Sequence, residues 1–269
     1  ANNTTASNNT GVGYGALFLN TTGANNTAFG ASALLSNTTG IQNVAVGANA
    51  LDANTDGDQN TAVGHDALTA NTSGRENVAI GHDALKVNTT GDYNVALGSF
   101  SLNANTTADD NIAIGFNALA ANTTGTQNIA IGKYALDDST TASNNTAVGH
   151  LALTANTTGH SNTALGSEAL DANTTARYNT AIGYASLGAN TTGEENTAVG
   201  RQALITNTTG AYNVAMGVNS LYNNNGNYNT ALGNGCLSSN TTASNNTAVG
   251  ANAADALTTG DLNVAMGVN

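Results

Sequence analysis

The stretch that decides the fold is "NTTGDYNVALGSFSLNA", residues 88–104. It contains an Asn-Thr-Thr-Gly turn, a short run Val-Ala-Leu closed by a glycine, and a lone leucine before the turn sequence begins again. Alignment on the asparagine that opens "NVALG" gives thirteen anchors spaced 17 residues apart and three more after one spacing of 16. The anchors are Asn9, Asn26, Asn43, Asn60, Asn77, Asn94, Asn111, Asn128, Asn145, Asn162, Asn179, Asn196, Asn213, Asn229, Asn246 and Asn263. A fixed period of this length indicates a repeat architecture.

The repeat has the consensus N-[TVI]-A-[VILMF]-G-x-x-A-L-x-x-N-T-T-[GA]-x-x, and we number its positions 1 to 17 from the anchor. Sixteen anchors cover residues 1–269, which predicts a single repeat array. Two coils are irregular, over 222–229, where the turn has lost a residue, and over 251–260. In the second, Ala254 replaces the leucine of position 9 and Leu257 the asparagine of position 12, so we expect a bulge or the approach to the end of the array. Both chain ends fall inside a repeat, so we expect a piece of a longer fibre.

The alternation at positions 2 to 4 is typical of a β-strand, because position 2 is β-branched and position 4 is large and apolar. Glycine occupies position 5 in all sixteen repeats and predicts a sharp corner. Position 15 accepts alanine as well as glycine, so that turn should not need a positive φ. A unit this short cannot bury its own apolar face, and stacked copies are the usual remedy. The sequence therefore predicts an all-β fold, a parallel β-solenoid (β-roll) of about sixteen 17-residue coils spaced about 4.8 Å apart.

The pattern also predicts which side chains lie inside. We expect the large residues of position 4 and the leucines of position 9 in the core, with the anchor asparagines forming a hydrogen-bonded column. The charged residues, with Asp56 as the one exception, fall at positions 6, 7, 10, 11, 16 and 17, which should face solvent. Position 3 is alanine in fifteen of sixteen repeats, and we expect it to face outward as a strip, with Ala113, Ala130 and Ala147 at its middle. Since one coil offers little apolar area, such a strip suggests that other copies of the chain pack against it.

Composition excludes several functions. The net charge is −12 with only five basic residues, and a nucleic-acid surface needs Lys and Arg to neutralise phosphates. No apolar run of 18 residues is present to span a membrane. The single cysteine, Cys236, stands at position 8 among alanines and serines, so we expect a small buried side chain rather than a reactive thiol.

Few residues are candidates for chemistry. A stack of convex coils offers no pocket in which catalytic groups converge, so we expect no enzyme and no cofactor. The nearest pattern to a metal site is "GHDAL", with His65 and Asp66 repeated one coil later as His82 and Asp83. Stacking should bring the two imidazoles about 5 Å apart. The competing interpretation, which we favour from the sequence, is a solvated surface pair.

Position 12 opens an Asn-x-Ser/Thr sequon in twelve repeats, which predicts either N-glycosylation or a turn-stabilising ladder, the interpretation we favour. These asparagines are Asn3, Asn20, Asn37, Asn71, Asn88, Asn105, Asn122, Asn156, Asn173, Asn190, Asn207 and Asn240. Eleven Tyr and Phe residues outside the strands could stack on cell-surface glycans, but they occupy several repeat positions and predict no continuous stripe.

The strand motifs "NTAVG", "NVAIG" and "NIAIG" resemble the "SVAIG" motif in head domains of trimeric autotransporter adhesins. That resemblance implies a left-handed β-roll with three chains packed about one axis. The longer phrase "NTTGxxNTAVGxxAL" is similar to shaft repeats of phage tail-fibre proteins. We therefore expect a homotrimeric structural fibre on a virion or cell surface, giving length and rigidity. The alternative is an extracellular module that binds polysaccharide or ice through a flat threonine-bearing face, or a glycan-coated fibril.

Overall fold

The computed structural model describes residues 5–268, which contain sixteen three-residue β-strands and no helix. The strands are β1 (Thr10–Val12), β2 (Thr27–Phe29), β3 (Val44–Val46), β4 (Thr61–Val63), β5 (Val78–Ile80), β6 (Val95–Leu97), β7 (Ile112–Ile114), β8 (Ile129–Ile131), β9 (Thr146–Val148), β10 (Thr163–Leu165), β11 (Thr180–Ile182), β12 (Thr197–Val199), β13 (Val214–Met216), β14 (Thr230–Leu232), β15 (Thr247–Val249) and β16 (Val264–Met266). The chain divides into two compact units, Ala1–Lys133 and Tyr134–Asn269. The first unit holds β1–β8 and the second β9–β16.

Within each unit the strands stack in parallel and in register, each pairing with its copy one repeat away. In the first unit Val95 pairs with Ile112 and Leu97 with Ile114. In the second unit Thr163 pairs with Thr180. Residues at the same repeat position therefore lie next to one another in neighbouring coils, and the predicted parallel β-solenoid is confirmed.

The core is made of leucine and alanine. The leucines of position 9 and the alanines of positions 8 and 3 are almost all fully buried. The prediction for positions 3 and 4 was wrong: Ala113, Ala130 and Ala147 have no exposed surface, whereas position 4 points outward, as at Leu97, which is 42% exposed. The reason is space. Gly11 is the one residue at position 3 that has no side chain, and a Cβ added there would lie 3.5 Å from Leu17 Cδ1. The strand therefore runs too close to the leucine column to place a large side chain between them.

Two buried columns of asparagine run beside this core. At position 1, Asn94 donates its backbone N–H to Asn77 Oδ1 at 2.9 Å and its side-chain amide to the Ala108 carbonyl at 2.8 Å. At position 12, Asn88 Nδ2 donates to Asn71 Oδ1 at 3.0 Å and to the Gly91 carbonyl at 3.0 Å. The predicted anchor column is confirmed, and its side chains satisfy backbone carbonyls that the corners leave without partners.

The corners depend on unusual backbone conformations. Gly64, at position 5, has φ of +142°, and an added Cβ would lie 2.4 Å from the Gly81 carbonyl oxygen. Position 15 needs no positive φ, as predicted. The pattern did not predict that the leucines of position 9 adopt left-handed conformations, as Leu68 does at φ 53°. Few non-glycine residues do so.

The two irregular coils keep the register. In the shortened coil Val214 pairs with Thr230 one residue early. The Asn225 Oδ1 atom there accepts the N–H groups of Thr208, Thr209 and Gly210 at 3.0 to 3.2 Å. In a regular coil a threonine carbonyl takes this place, as where Thr55 accepts the N–H groups of Thr38, Thr39 and Gly40. The coil over 251–260 has the regular turn pattern, and β16 pairs in register with β15, so it is not bulged.

Candidate functional site

The most extensive surface feature is the outer sheet face, which we define as the side chains at positions 2 and 4. Both columns point away from the core because positions 1 and 3 point into it. Position 4 is apolar in all sixteen repeats, and Ile80, Leu97 and Ile131 are 37%, 42% and 36% exposed. Across β5–β8 both columns are aliphatic, and across β9–β12 position 2 is always threonine. The first unit thus presents an apolar patch, and the second a mixed threonine and aliphatic one.

The aliphatic patch has eight members. They are Val78, Ile80, Val95, Leu97, Ile112, Ile114, Ile129 and Ile131. Since the strands are in register, the eight side chains form two unbroken rows of four.

The two His-Asp pairs lie together on the first unit, as the spacing predicts. The His65 and His82 rings stack with centroids 5.4 Å apart and planes 10° apart. Ring nitrogens of both histidines and a carboxylate oxygen of Asp83 all lie within 4.8 Å of one another. Both imidazoles are about half exposed, whereas the side chains of Asp66 and Asp83 are only 19% and 12% exposed. The interpretation as a fully solvated pair therefore does not hold for the carboxylates, and Asp83 is the exception to the prediction that charges face solvent.

Lys86 joins this cluster, which the sequence analysis missed. Its Nζ lies 3.1 Å from Asp83 Oδ1 and 3.3 Å from Asp66 Oδ2. Burial raises the pKa of Asp66, but hydrogen bonds from Asn49 and Lys86 and the charges of His65 and Lys86 outweigh it, so the pKa lies below its usual value. Lys86 stands at position 10 and Asp83 at position 7 of the same coil. Only the folded path of that coil brings the two side chains together.

Aromatic side chains form short runs over neighbouring coils rather than the wholly scattered set that the sequence predicts. The ring of Phe100 packs edge-on against His82 at 5.4 Å and against Phe116 at 5.9 Å. Lys133 Nζ lies 5.9 Å from the Phe116 ring centroid. A separate pair in the second unit, Tyr212 and Tyr228, stacks at 4.8 Å.

The sequon asparagines face inward. All of them within the described residues are at most 1% exposed, and Asn3 lies outside the described residues. Asn105 shows why: its side-chain nitrogen donates to Asn88 Oδ1 and to the Ala108 carbonyl. An N-linked glycan needs that same nitrogen at the surface. The buried, hydrogen-bonded amides fit the favoured interpretation, a turn-stabilising ladder, and N-glycosylation at these asparagines stays a prediction.

Other titratable groups are accounted for by packing. Cys236 is fully buried with its Sγ 3.2 Å from the Ala248 carbonyl oxygen, and burial raises the pKa of its thiol. The prediction of a buried filler is confirmed. Burial also raises the pKa of Asp137 to about 6, with a contribution from the charge of Asp138. Burial, followed by the charge of Glu168, raises the pKa of Asp171.

The fold and surface place the chain in the class of parallel β-solenoid repeat proteins. Comparison of the chain with protein-family models, curated proteins and solved structures gave no match. Among residues 5–268 no helix is long and apolar enough to cross a membrane.

Proposed function

We propose that the chain is a structural protein, a repeat shaft of an extracellular surface filament or virion fibre, whose copies pack side by side through the outer sheet face. The repeat would supply length and rigidity, because within each unit neighbouring coils are joined by backbone ladders and by hydrogen bonds between buried asparagines. The extracellular location follows the resemblance to adhesin heads and tail-fibre shafts, which also favours three copies.

The observation that supports self-association is the apolar character of an outward-facing column. All sixteen position 4 residues are Val, Ile, Leu, Met or Phe, although an isolated solenoid would tolerate polar residues there. Soluble monomers rarely expose contiguous apolar patches larger than a few hundred Å². A second copy, with the same repeat, presents a matching set of aliphatic ridges. This face takes the place of the alanine strip of position 3, which is buried.

The test replaces the apolar row without disturbing the strands. In one variant Ile80, Leu97, Ile114 and Ile131 all become threonine, which is β-branched and already occupies position 2 in nine repeats. We expect the unmodified chain to scatter light as an oligomer and the fourfold variant to dissociate while keeping its β-sheet circular dichroism. The control is Ala120→Glu, at position 10 and away from the face. An unmodified chain that is monomeric at every concentration contradicts the proposal.

A second candidate function, ice or polysaccharide binding, is favoured by one feature of the second unit. Thr146, Thr163, Thr180 and Thr197 form an unbroken outward row, although the column as a whole is interrupted by valine and isoleucine. If this row binds ice, Thr163→Leu and Thr180→Leu together should abolish inhibition of ice recrystallisation. If the unmodified chain shows no such inhibition and no retention on polysaccharide resins, this second function is excluded.

A further inference from the structure

We propose that His65, His82 and Asp83 form a binding site for one divalent transition-metal ion of the Zn²⁺ type. This site is independent of the proposed shaft function. Within residues 5–268 it is the one group of three His, Cys, Asp or Glu side chains whose candidate ligand atoms approach one another closely enough.

The register of the solenoid creates the site. His65 and His82 occupy position 6 of successive coils, so the coil spacing fixes their separation. Ligand nitrogens on a tetrahedral zinc ion, bound at about 2.1 Å, lie roughly 3.4 Å apart. The candidate atoms lie within 4.8 Å here, and half-exposed imidazoles can close the difference by side-chain rotation. Their exposure also leaves room for a water molecule as a further ligand.

Asp83 supplies the third ligand in a held orientation. Lys86 Nζ contacts Asp83 Oδ1 at 3.1 Å, while Asp83 Oδ2 lies 3.6 Å from His82 Nδ1. One oxygen is therefore fixed by the ammonium and the other faces the imidazoles. Carboxylates whose orientation is set by a neighbouring hydrogen bond are typical of metal sites.

The charge of the cluster favours a cation. Two weakly exposed carboxylates, on Asp66 and Asp83, share a single ammonium, that of Lys86, so the carboxylates outnumber the ammonium groups in the cluster by one. Two imidazole nitrogens with one carboxylate suit zinc, copper or nickel better than calcium or magnesium, which prefer oxygen ligands alone.

The chain contains its own control. His150 also stands at position 6, but Leu151 follows it, and the next coil has Ser167 at the same position. It is exposed like His65, but the next coil offers it no imidazole to stack against. If zinc bound to any single exposed histidine, removal of His150 should weaken binding as much as removal of His82.

The experiment is calorimetric titration of the full chain, without a polyhistidine tag, with ZnCl₂ at pH 7.5. We expect one zinc ion per chain and a thermal unfolding midpoint that rises with zinc. His82→Ala and Asp83→Asn should each weaken binding by tenfold or more, and His150→Ala should leave it unchanged. No binding by the unmodified chain, or equal binding by the chain and both cluster variants, overturns the proposal.

Discussion

The side-chain oxygen of Asn60 accepts two hydrogen bonds from Asn77 in the next coil, from the backbone N–H at 3.0 Å and from Nδ2 at 3.2 Å. The Asn60 side-chain nitrogen in turn donates to the Gly74 carbonyl at 2.8 Å. Every polar atom of the side chain is thus used in a place with no exposed surface. The anchor asparagine joins one coil to the next, which explains its presence in all sixteen repeats.

The first prediction concerns this column. Asn60→Asp keeps the shape but replaces the donor with a carboxylate oxygen that faces the Gly74 carbonyl. We expect a loss of about 3 kcal/mol in the free energy of unfolding at pH 7, because a buried charge without a partner is costly. Gln42→Glu makes the same chemical change at an exposed position and should cost less than about 0.5 kcal/mol. Urea denaturation compares the two, and equal losses would contradict the buried column.

The second prediction concerns the corner glycine. Gly64→Ala places a Cβ 2.4 Å from the Gly81 carbonyl oxygen at a φ of +142°, so we expect a loss of at least about 2 kcal/mol. Gly11→Ala restores the alanine of the other repeats, where the nearest atoms lie at an ordinary 3.5 Å. This control should be neutral or stabilise by up to about 1 kcal/mol. Thermal unfolding of both variants provides the comparison. If Gly64→Ala is as stable as the unmodified chain, the tight corner with a positive φ at this residue is contradicted.

The third prediction concerns a break in the position 12 column. Ser139 stands there in place of asparagine, and its buried hydroxyl has no hydrogen-bond partner. Ser139→Asn supplies the oxygen to which Asn156 Nδ2 can donate, so we expect a gain of about 1 kcal/mol in denaturation experiments. Ser139→Ala only removes the hydroxyl and separates the two effects. An asparagine variant no more stable than the alanine variant would show that the column adds nothing at this point.

The fourth prediction is a pH dependence. The pKa of Asp137 is about 6 in the folded chain against an ordinary 3.8, because burial, and then the charge of Asp138, disfavours its ionised form. Its contribution to stability is therefore fully present below pH 3.8 and is lost as the pH rises through about 6. Asp137→Asn should be more stable than the unmodified chain at pH 7, and the difference should vanish as the pH falls below 3.8. A difference that does not change with pH contradicts the shifted pKa.

Much of the fold could be predicted from the repeat, that is, from its period and from the residue types at each of its positions. The register of 17 residues, the strand at positions 2 to 4, the buried leucine and the corner glycine all follow from residue type and spacing. The orientation of the strand could not be predicted from hydrophobicity, which favours burying Leu97 rather than Ala96. The structure buries Ala96 because the space between the strand and the leucine column admits only a methyl group.

The sequence predicted one part of the His-Asp cluster, the stacked histidines, and missed another, Lys86. Stacking of His65 on His82 follows from equal repeat positions, so the sequence suffices. Lys86 could not be assigned to the cluster, because its approach to Asp83 depends on the left-handed conformations at positions 7 and 9, as in Leu85 at φ 51°. Leucine gives no sequence signal for such a conformation.

The most direct test of the central claim is the thiol reactivity of Leu97→Cys as a function of protein concentration. Leu97 lies on the outer sheet face, and packing of a second copy through that face would cover it. We predict rapid modification in dilute solution and slower modification as the concentration rises, with the buried Cys236 slow throughout as an internal reference. A rate that does not depend on concentration would contradict packing through this face, and a rate as slow as that of Cys236 even in dilute solution would contradict the outward orientation of position 4.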